Sequence, residues 1–244
     1  MSSATMPAQH HATDAFKLGV ASRMAALAVV AYTVYALSLL DFSWARFVAG
    51  LDNGARLLSR MFPPDLSKGD ILWRGVGESL QIAVLASAIG IAVSLPIGLL
   101  GARNLMPAWV TWISRSVVTV CRALHPVVVA ILFVKAVGFG ALAGILALVV
   151  ASVGFIGKLF SEAVEEISPK QVEAVRATGA SFTNVVLFGV LPQVLSRFVG
   201  FATYQLDSNM RNSTMVGIVG AGGIGGALFA AFQRFDHDFV LTIL

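Results

Sequence analysis

The chain has 244 residues, of which 57% are hydrophobic and 12% charged, with a formal net charge of +4 and a mean hydropathy of +0.82. Soluble domains carry roughly 25% charged residues, so the composition excludes an ordinary water-soluble protein and indicates one that crosses a membrane several times. The single cysteine, Cys121, has no second cysteine with which to form a disulfide or a cysteine-rich metal site. We expect neither a metal nor a cofactor.

Residues 1–17 are predicted to be a disordered cytoplasmic tail, because they show no hydrophobic periodicity. Two histidines in such a tail, His10 and His11, are more often incidental than a metal site. Residues 18–40 follow as the first membrane-spanning helix. We expect this helix to be retained, because its apolar run is long and no small-residue cleavage site is tied to it.

Six membrane-spanning segments are predicted along the chain. Stretches free of acidic and basic residues run over 24–40, 79–102, 136–157 and 212–233. Such apolar stretches must be helical in lipid, which cannot satisfy open backbone groups, and about 20 residues are needed to cross. The predicted spans are 18–40, 76–100, 109–135, 141–160, 191–211 and one that begins near 237. Because the last of these stops within a few apolar residues, we expect the natural chain to continue beyond Leu244.

The segment 41–75 between the first two spans is predicted to be extracytoplasmic and to contain an amphipathic helix. Its apolar residues recur on one helical face, and Asp52, Arg56 and Arg60 lie off that face. This pattern is typical of a helix in the plane of the membrane interface, and a helix packed on the bundle is an equal alternative. The apolar face comprises Trp44, Phe47, Val48, Leu51, Ala55, Leu58 and Phe62.

Small residues recur every fourth position in the second span, at Ala86, Gly90, Ser94 and Gly98. Such a ladder lets two helix backbones approach closely. We predict a helix-packing seam there.

The loop 162–190 is charged and helix-forming, although it lies between strongly apolar spans. Ser168 is typical of an N-cap, Pro169 of a first helical position, and Gln171 is placed to return a hydrogen bond to the cap. Gly179 fits a left-handed stop. The result is a helix of about ten residues, which is too short to persist alone in water. Its residues Val172, Ala174 and Val175 are available for a cleft on a partner, and Glu173 is available to contact a basic side chain or backbone N–H groups.

The stretches EAVRATGASFTNVVLFGVLPQ and YQLDSNMRNSTMVGIVGAGGIGG resemble the inner-membrane permeases of phosphonate/phosphate-type ABC importers, and the resemblance covers nearly all of the chain after residue 75. The spacing of Glu173-Ala174-Val175, Gly179 and Leu191-Pro192 is the one by which such permeases dock their ATPase. Two departures are Val175 in place of a second alanine, and Gly189 where a branched apolar residue is usual.

The resemblance implies an all-α membrane protein with the transmembrane domain of a type I ABC importer: about six transmembrane helices, a permease core over 76–244 and a coupling loop at 162–190. The distribution of Lys and Arg does not decide the orientation, because these residues are almost evenly divided between the two sides. The resemblance implies it instead, and places the coupling loop in the cytoplasm. Glu173, Ala174, Val175 and Gly179, with Ser168, Leu191 and Pro192, would then form the ATPase-coupling site.

The implied function is that of a multi-pass permease subunit in a bacterial inner membrane, importing phosphonate or phosphate. Its partners would be a second permease subunit, identical or different, two ABC ATPase subunits, an extracytoplasmic substrate-binding protein and membrane lipid, with no nucleic acid. The chain would not be an enzyme, because separate ATPase subunits would hydrolyse ATP. A permease of the same fold for another solute, such as phosphite or an amino acid, and a membrane scaffold without transport are the alternatives.

Ionisable and amide side chains inside the spans are candidates for the substrate path, because such groups are costly in lipid and usually face a polar cavity. These are Arg122 and His125 in the third span, and Asp207, Asn209 and Arg211 at the outer end of the fifth. Alternatively, Arg122 reaches to the inner interface, and Asp207 simply pairs with Arg211 one helical turn away.

The glycines Gly220, Gly222, Gly223 and Gly225 include the G-x-G-x-x-G pattern of dinucleotide-binding domains. Only about twenty residues follow, too few for the parallel sheet that such a domain requires. We instead predict a glycine-rich outer loop, in which the missing side chains permit tight turns and close backbone contact.

Overall fold

The computed structural model of the protein describes residues 19–40 and 43–244, and all regular structure within these ranges is helical. The predicted tail over 1–17 lies outside the described residues. The elements are α1 (Val20–Leu39), α2 (Trp44–Met61), α3 (Gly69–Leu100), α4 (Ala108–Ala123), α5 (Pro126–Val137), α6 (Ala141–Glu165), α7 (Pro169–Ala177), α8 (Phe182–Asn184), a first π-helical segment (Val185–Val190), α9 (Leu191–Val216), a second π-helical segment (Gly217–Ala221), α10 (Ile224–Gln233) and α11 (His237–Ile243).

The chain divides into two compact units, of which the first ends at Leu58. It contains α1, an apolar helix of 20 residues. The predicted amphipathic helix is confirmed as α2. On its polar side Asp52 and Arg56 form an ion pair of 2.6 Å, and on its apolar side the rings of Trp44 and Phe47 stack with centroids 5.4 Å apart.

Within residues 19–40 and 43–244, four helical segments are long and apolar enough to cross a membrane, namely Val20–Leu39, Gly69–Leu100, Ala141–Glu165 and Phe182–Ala221. The bent pair α4–α5 makes a fifth if it counts as one span. Five of the six predicted spans therefore have a counterpart. The sixth does not, because α11 has seven residues and a helix of that length rises only about 10 Å.

The third predicted span, over 109–135, is broken rather than straight: α4 and α5 meet at 92°. Pro126 has no N–H to continue α4 but fits the first position of a new helix. His125 caps that helix, because its Nδ1 accepts a hydrogen bond from the Val127 N–H at 3.3 Å. A proline that starts one helix thus ends the other.

The predicted small-residue seam of α3 is confirmed, and it packs against α6. A β-carbon at Gly90 would overlap Ser152, and one at Gly98 would lie 2.8 Å from Phe160 Cδ1. Ala86 and Ser94 are buried on the same face. The two long helices therefore approach each other as closely as their backbones allow.

Beside this seam, α3, α6 and α9 share a buried polar network. The Asn209 amide donates to Ser87 Oγ at 2.9 Å and to Ser152 Oγ at 3.0 Å. The Gln205 amide donates to Ser152 Oγ at 3.0 Å and to Asn209 Oδ1 at 2.9 Å. Ser152 in turn donates to the Leu148 carbonyl at 2.7 Å. Each amide nitrogen thus has two acceptors, as a polar group removed from water requires.

The end of the bundle opposite α7, here called the α10 end, is closed by ionic contacts. Lys68 pairs with Asp236 and lies 3.4 Å from Asp65, and its hydrogen bond with Asp236 raises the pKa of Lys68. Thr242 Oγ1 donates to the Asp65 carbonyl at 3.0 Å. These contacts tie α11 to the segment that precedes α3.

Candidate functional site

The coupling segment contains a helix that begins and ends as predicted. Ser168 is the N-cap, and α7 has nine residues, from Pro169 to Ala177. Gly179 has φ of +76°, a left-handed conformation that glycine adopts without strain. Its N–H donates to the Arg176 carbonyl at 3.0 Å.

The predicted reciprocal cap between Ser168 and Gln171 does not form, since the Ser168 side chain makes no cap hydrogen bond. The Ser168 N–H instead donates to Gln193 Oε1 at 3.0 Å. Gln193 is fixed by its own Nε2, which donates to the Gly189 carbonyl at 2.6 Å. A residue of α9, distant in sequence, therefore holds the start of α7.

We expect Gln193→Ala to lower the thermal unfolding temperature of the purified protein, because the loss of both hydrogen bonds costs about 1 kcal/mol each. Gln171→Ala is the matched control and should leave the unfolding temperature unchanged. Equal shifts in the two variants would contradict the assignment of Gln193 as the residue that holds α7.

One side of α7 is anchored in the bundle, which corrects the prediction that Val172 is available for a partner. Val172 is 6% exposed and packs in a core cluster with Phe160, Val185 and Val190. Val175 is partly buried against the same cluster. The backbone of α7 lies close to Gly189, where a β-carbon would be 3.5 Å from Val172 Cα. A β-carbon at 189 would thus already be in van der Waals contact with α7.

The opposite side of α7 is free for a partner, and it includes Glu173 and Ala174, both exposed. Leu191, at the start of α9, packs on the same core cluster as Val172. Pro192 lies in the first turn of α9 and is exposed. The predicted coupling residues thus surround one docked helix, with Glu173 and Ala174 presented outward.

Ionic contacts join the end of α6, just before α7, to its neighbours. Glu165 Oε1 accepts from Arg115 at 2.6 Å and from the Arg103 N–H at 2.7 Å. Glu166 forms an ion pair with Arg197 of α9. The α3–α4 loop, α4 and α9 are therefore all fastened to the helix that leads into α7.

The predicted substrate-path residues do not form one site. Asp207 and Arg211 are exposed and pair at 2.7 Å, as the alternative interpretation expected. Asn209 is fully buried in the polar network, because its amide is used to join three helices. Within residues 43–244, no hydrogen bond or ion pair links these three residues to Arg122 or His125.

The glycine-rich loop takes the predicted tight turns: φ is +94° at Gly220, +83° at Gly222 and +74° at Gly223. It lies against the bundle, with the Ile224 N–H donating to Ser79 Oγ at 2.9 Å. Gly225 follows in the first turn of α10. A dinucleotide-binding loop follows a β-strand, whereas the segment Gly217–Ala221 is π-helical. The structure therefore does not have the strand that a dinucleotide-binding domain needs at this position.

Two residues that hold the helices together were not predicted from the sequence, Gln193 and Gln205. Both amides lie within the predicted span 191–211, and an amide inside a span is itself a signal of an interhelical hydrogen bond. Their partners, Ser168 and Ser152, are set by tertiary packing and carry no local signal.

Residues 94–244 match the protein family described as "Binding-protein-dependent transport system inner membrane component". The chain is 35% identical over 222 residues, or 88% of its length and 79% of the relative's, to the putative phosphite transport system permease protein HtxC of Stutzerimonas stutzeri. It is 41% identical over 184 residues, or 75% of its length but 35% of the relative's, to the phosphate-import permease protein PhnE of Mycolicibacterium smegmatis.

Among solved structures, the inward-facing MetNI methionine ABC transporter contains a chain of the same fold, with a TM-score of 0.65 and 27% identity, covering 73% of this chain and 88% of that one. That fold, the family match and the apolar helices agree. The chain belongs to the inner-membrane components of binding-protein-dependent transport systems and is a multi-pass membrane permease with the type I ABC importer fold.

Proposed function

We propose that the chain is the permease subunit of an ATP-driven importer of phosphonate or phosphate. The observation that carries this proposal is α7: a short helix fixed to the bundle by Val172 and Gln193 that leaves Glu173 and Ala174 exposed. Such an arrangement suits a surface that receives motion from a soluble partner. Phosphate is supported by the name of one relative, and phosphonate by the resemblance of the coupling segment to permeases of the phosphonate/phosphate type.

Its partners would be a second permease subunit of the same or another sequence, two ABC ATPase subunits on the cytoplasmic side and an extracytoplasmic substrate-binding protein. ATP-driven closure of the ATPases would draw the two α7 helices together and open the path outward. The ATPase subunits would carry out all the hydrolysis, and this chain would have no catalytic residue, cofactor or nucleic-acid partner. Lipid would surround the outer faces of the spans.

Motion of α7 would reach the spans through contacts that flank it. Val172 bears on the core beneath α7, and Gln193 joins the start of α7 to α9. Glu165 and Glu166, just before α7, hold Arg115 of α4 and Arg197 of α9. A displacement of α7 would therefore move α4 and α9 together with α6.

Phosphite is the second candidate solute, because a relative that matches 88% of this chain's length is named as a putative phosphite permease. An amino acid is a weaker candidate, since the methionine transporter is less similar in sequence. A scaffold without transport would show no substrate-dependent ATP hydrolysis.

We therefore expect ATP hydrolysis by the complex in liposomes, with its binding protein, to rise with added phosphate or methylphosphonate. Phosphite and methionine are titrated in parallel. Stimulation by phosphite alone would reassign the solute as phosphite. Stimulation by methionine alone would show that the solute is not a phosphorus oxyanion. An intact complex that responds to none of the four would contradict the proposed function.

A further inference from the structure

Three cationic side chains meet in a cleft between α4 and α6. Arg115 and Arg122 approach it from α4 and Lys158 from α6, and the cavity that they line has a volume of about 140 Å³. A water molecule occupies about 30 Å³ in the liquid. The cleft therefore has room for a small tetrahedral anion together with some of its water.

The charges in this cleft do not balance. Arg115 is paired with Glu165 at 2.6 Å, and Lys158 is paired with Glu162. Within the described part of the chain Arg122 makes no ion pair or hydrogen bond, although its side chain is exposed. Three cations thus face two carboxylates, and the excess positive charge lies on Arg122.

The hydrogen-bond donors available to a ligand in the cleft are the N–H groups of its Arg and Lys side chains. Three hydroxyl groups also line the cleft, but each already donates to a backbone carbonyl: Ser114 to Ile97 at 2.5 Å, Thr119 to Arg115 at 2.7 Å and Ser161 to Lys158 at 2.8 Å. Guanidinium and ammonium groups donate to phosphate-type oxygens in strong, charge-assisted hydrogen bonds. The chemistry of the cleft therefore favours an oxyanion.

Arg122 lies in the last turn of α4, just before the break to α5 and far from the first turns of the helix. Trp109 and Trp112 are exposed in the first turns of α4, where tryptophans mark a membrane interface, and Arg122 follows Trp112 by about 15 Å of helix. Its backbone rests on α6 at Gly154, where a β-carbon would lie 2.8 Å from Arg122 Cγ. A cation at such depth is costly and is by default a functional group.

The cleft is continuous with a larger groove along α4. The groove has a volume of about 740 Å³, shares Arg115 and Thr119 with the cleft and extends to Arg103 and Trp112. An anion beside Arg122 would therefore have an open way towards the end of the bundle that carries α7.

We propose that the α4–α6 cleft is a transient binding site for a phosphorus oxyanion, with Arg122 as its free cation and Arg115 and Lys158 as cations that can turn from their carboxylates. That the anion contains phosphorus rests on the proposed function. That the ligand is an anion is inferred from the cations of the cleft alone. A phosphate in transit and the phosphate group of an anionic lipid share this chemistry. Binding must be weak if a transported anion is to leave again.

The site is tested by chemical protection of Arg122 in the intact permease–ATPase complex. Phenylglyoxal modifies arginines, and mass spectrometry reports the rate at each one. In nanodiscs of phosphatidylcholine, millimolar phosphate should slow the modification of Arg122 about threefold relative to chloride at equal ionic strength, as for a site occupied about two-thirds of the time. Arg234, exposed at the end of α10, is the matched control and should not change. No substitution is needed, so folding is not in question.

A second arm replaces phosphatidylcholine by phosphatidylglycerol and omits phosphate. Protection by free phosphate assigns the site to the transported anion, and protection by phosphatidylglycerol alone assigns it to lipid. Protection in neither arm, or equal slowing at Arg234, overturns the site. Phosphate uptake measured on the same complex separates the two proposals: uptake without protection rejects the cleft alone, and protection without uptake rejects the proposed solute alone.

Discussion

Glu173→Arg is expected to reduce transport at least tenfold, to about a tenth of the wild-type rate or less, because reversing a charge at an interface costs several kcal/mol. Glu173 is exposed on the free side of α7, between Lys170 and Arg176. The variant would place three cations at i, i+3 and i+6 on one face of a short helix, where like charges repel. Copurification of the ATPase subunits and uptake by proteoliposomes measure the effect.

Two further variants sharpen this test of the coupling helix. Glu173→Gln removes the charge without reversing it and should give an intermediate loss. Asp52→Arg reverses an exposed carboxylate on α2, outside the coupling segment, and should transport normally. A Glu173→Arg complex that retains its ATPase and its uptake rate would rule out α7 as the coupling helix.

The second large effect is expected at the seam between α3 and α6. Gly90→Val should destabilise the protein by about 3 kcal/mol, the upper part of the range for an overpacked core, because even a β-carbon at this position overlaps Ser152. The substitution would part the two helices next to the polar network. Unfolding of the purified protein in detergent, followed by circular dichroism, measures the loss.

Gly77→Val is the matched control, because Gly77 lies in the same helix and a β-carbon there would meet nothing within 4 Å. Both variants exchange glycine for valine in a helix, so their difference reports packing rather than helix propensity. Equal stabilities for Gly90→Val and Gly77→Val would show that α3 and α6 are not in contact at this point.

The sequence was most informative where one local rule decides the outcome. The span positions follow from runs of apolar residues, and the limits of α7 follow from Pro169 and Gly179. The bend between α4 and α5 was missed although Pro126 marks it, because hydropathy is continuous through the break. A proline rule applied to the middle of that span would have found it.

Contacts between distant elements could not be predicted in the same way. Val172 lies on a helix of nine residues, and which of its faces is buried depends on the position of Val190 beneath it. Asn209 was a plausible substrate ligand by residue type, yet Ser87 and Ser152 surround it. Residue type alone does not distinguish a polar group that binds a solute from one that binds another helix.

The polar network also has a consequence for the order in which the chain can enter the membrane. Its hydroxyl groups, on α3 and α6, come early in synthesis, and that of Ser152 is cheap to insert because it bonds the Leu148 carbonyl of its own helix. The amides of α9, for which a lone helix offers only the bond from Gln205 to Asn209 and which are costly to leave unpaired in lipid, emerge only after both hydroxyl-bearing helices have been made. Because α9 is synthesised after α3 and α6, its amide donors enter the membrane when their serine acceptors are already there.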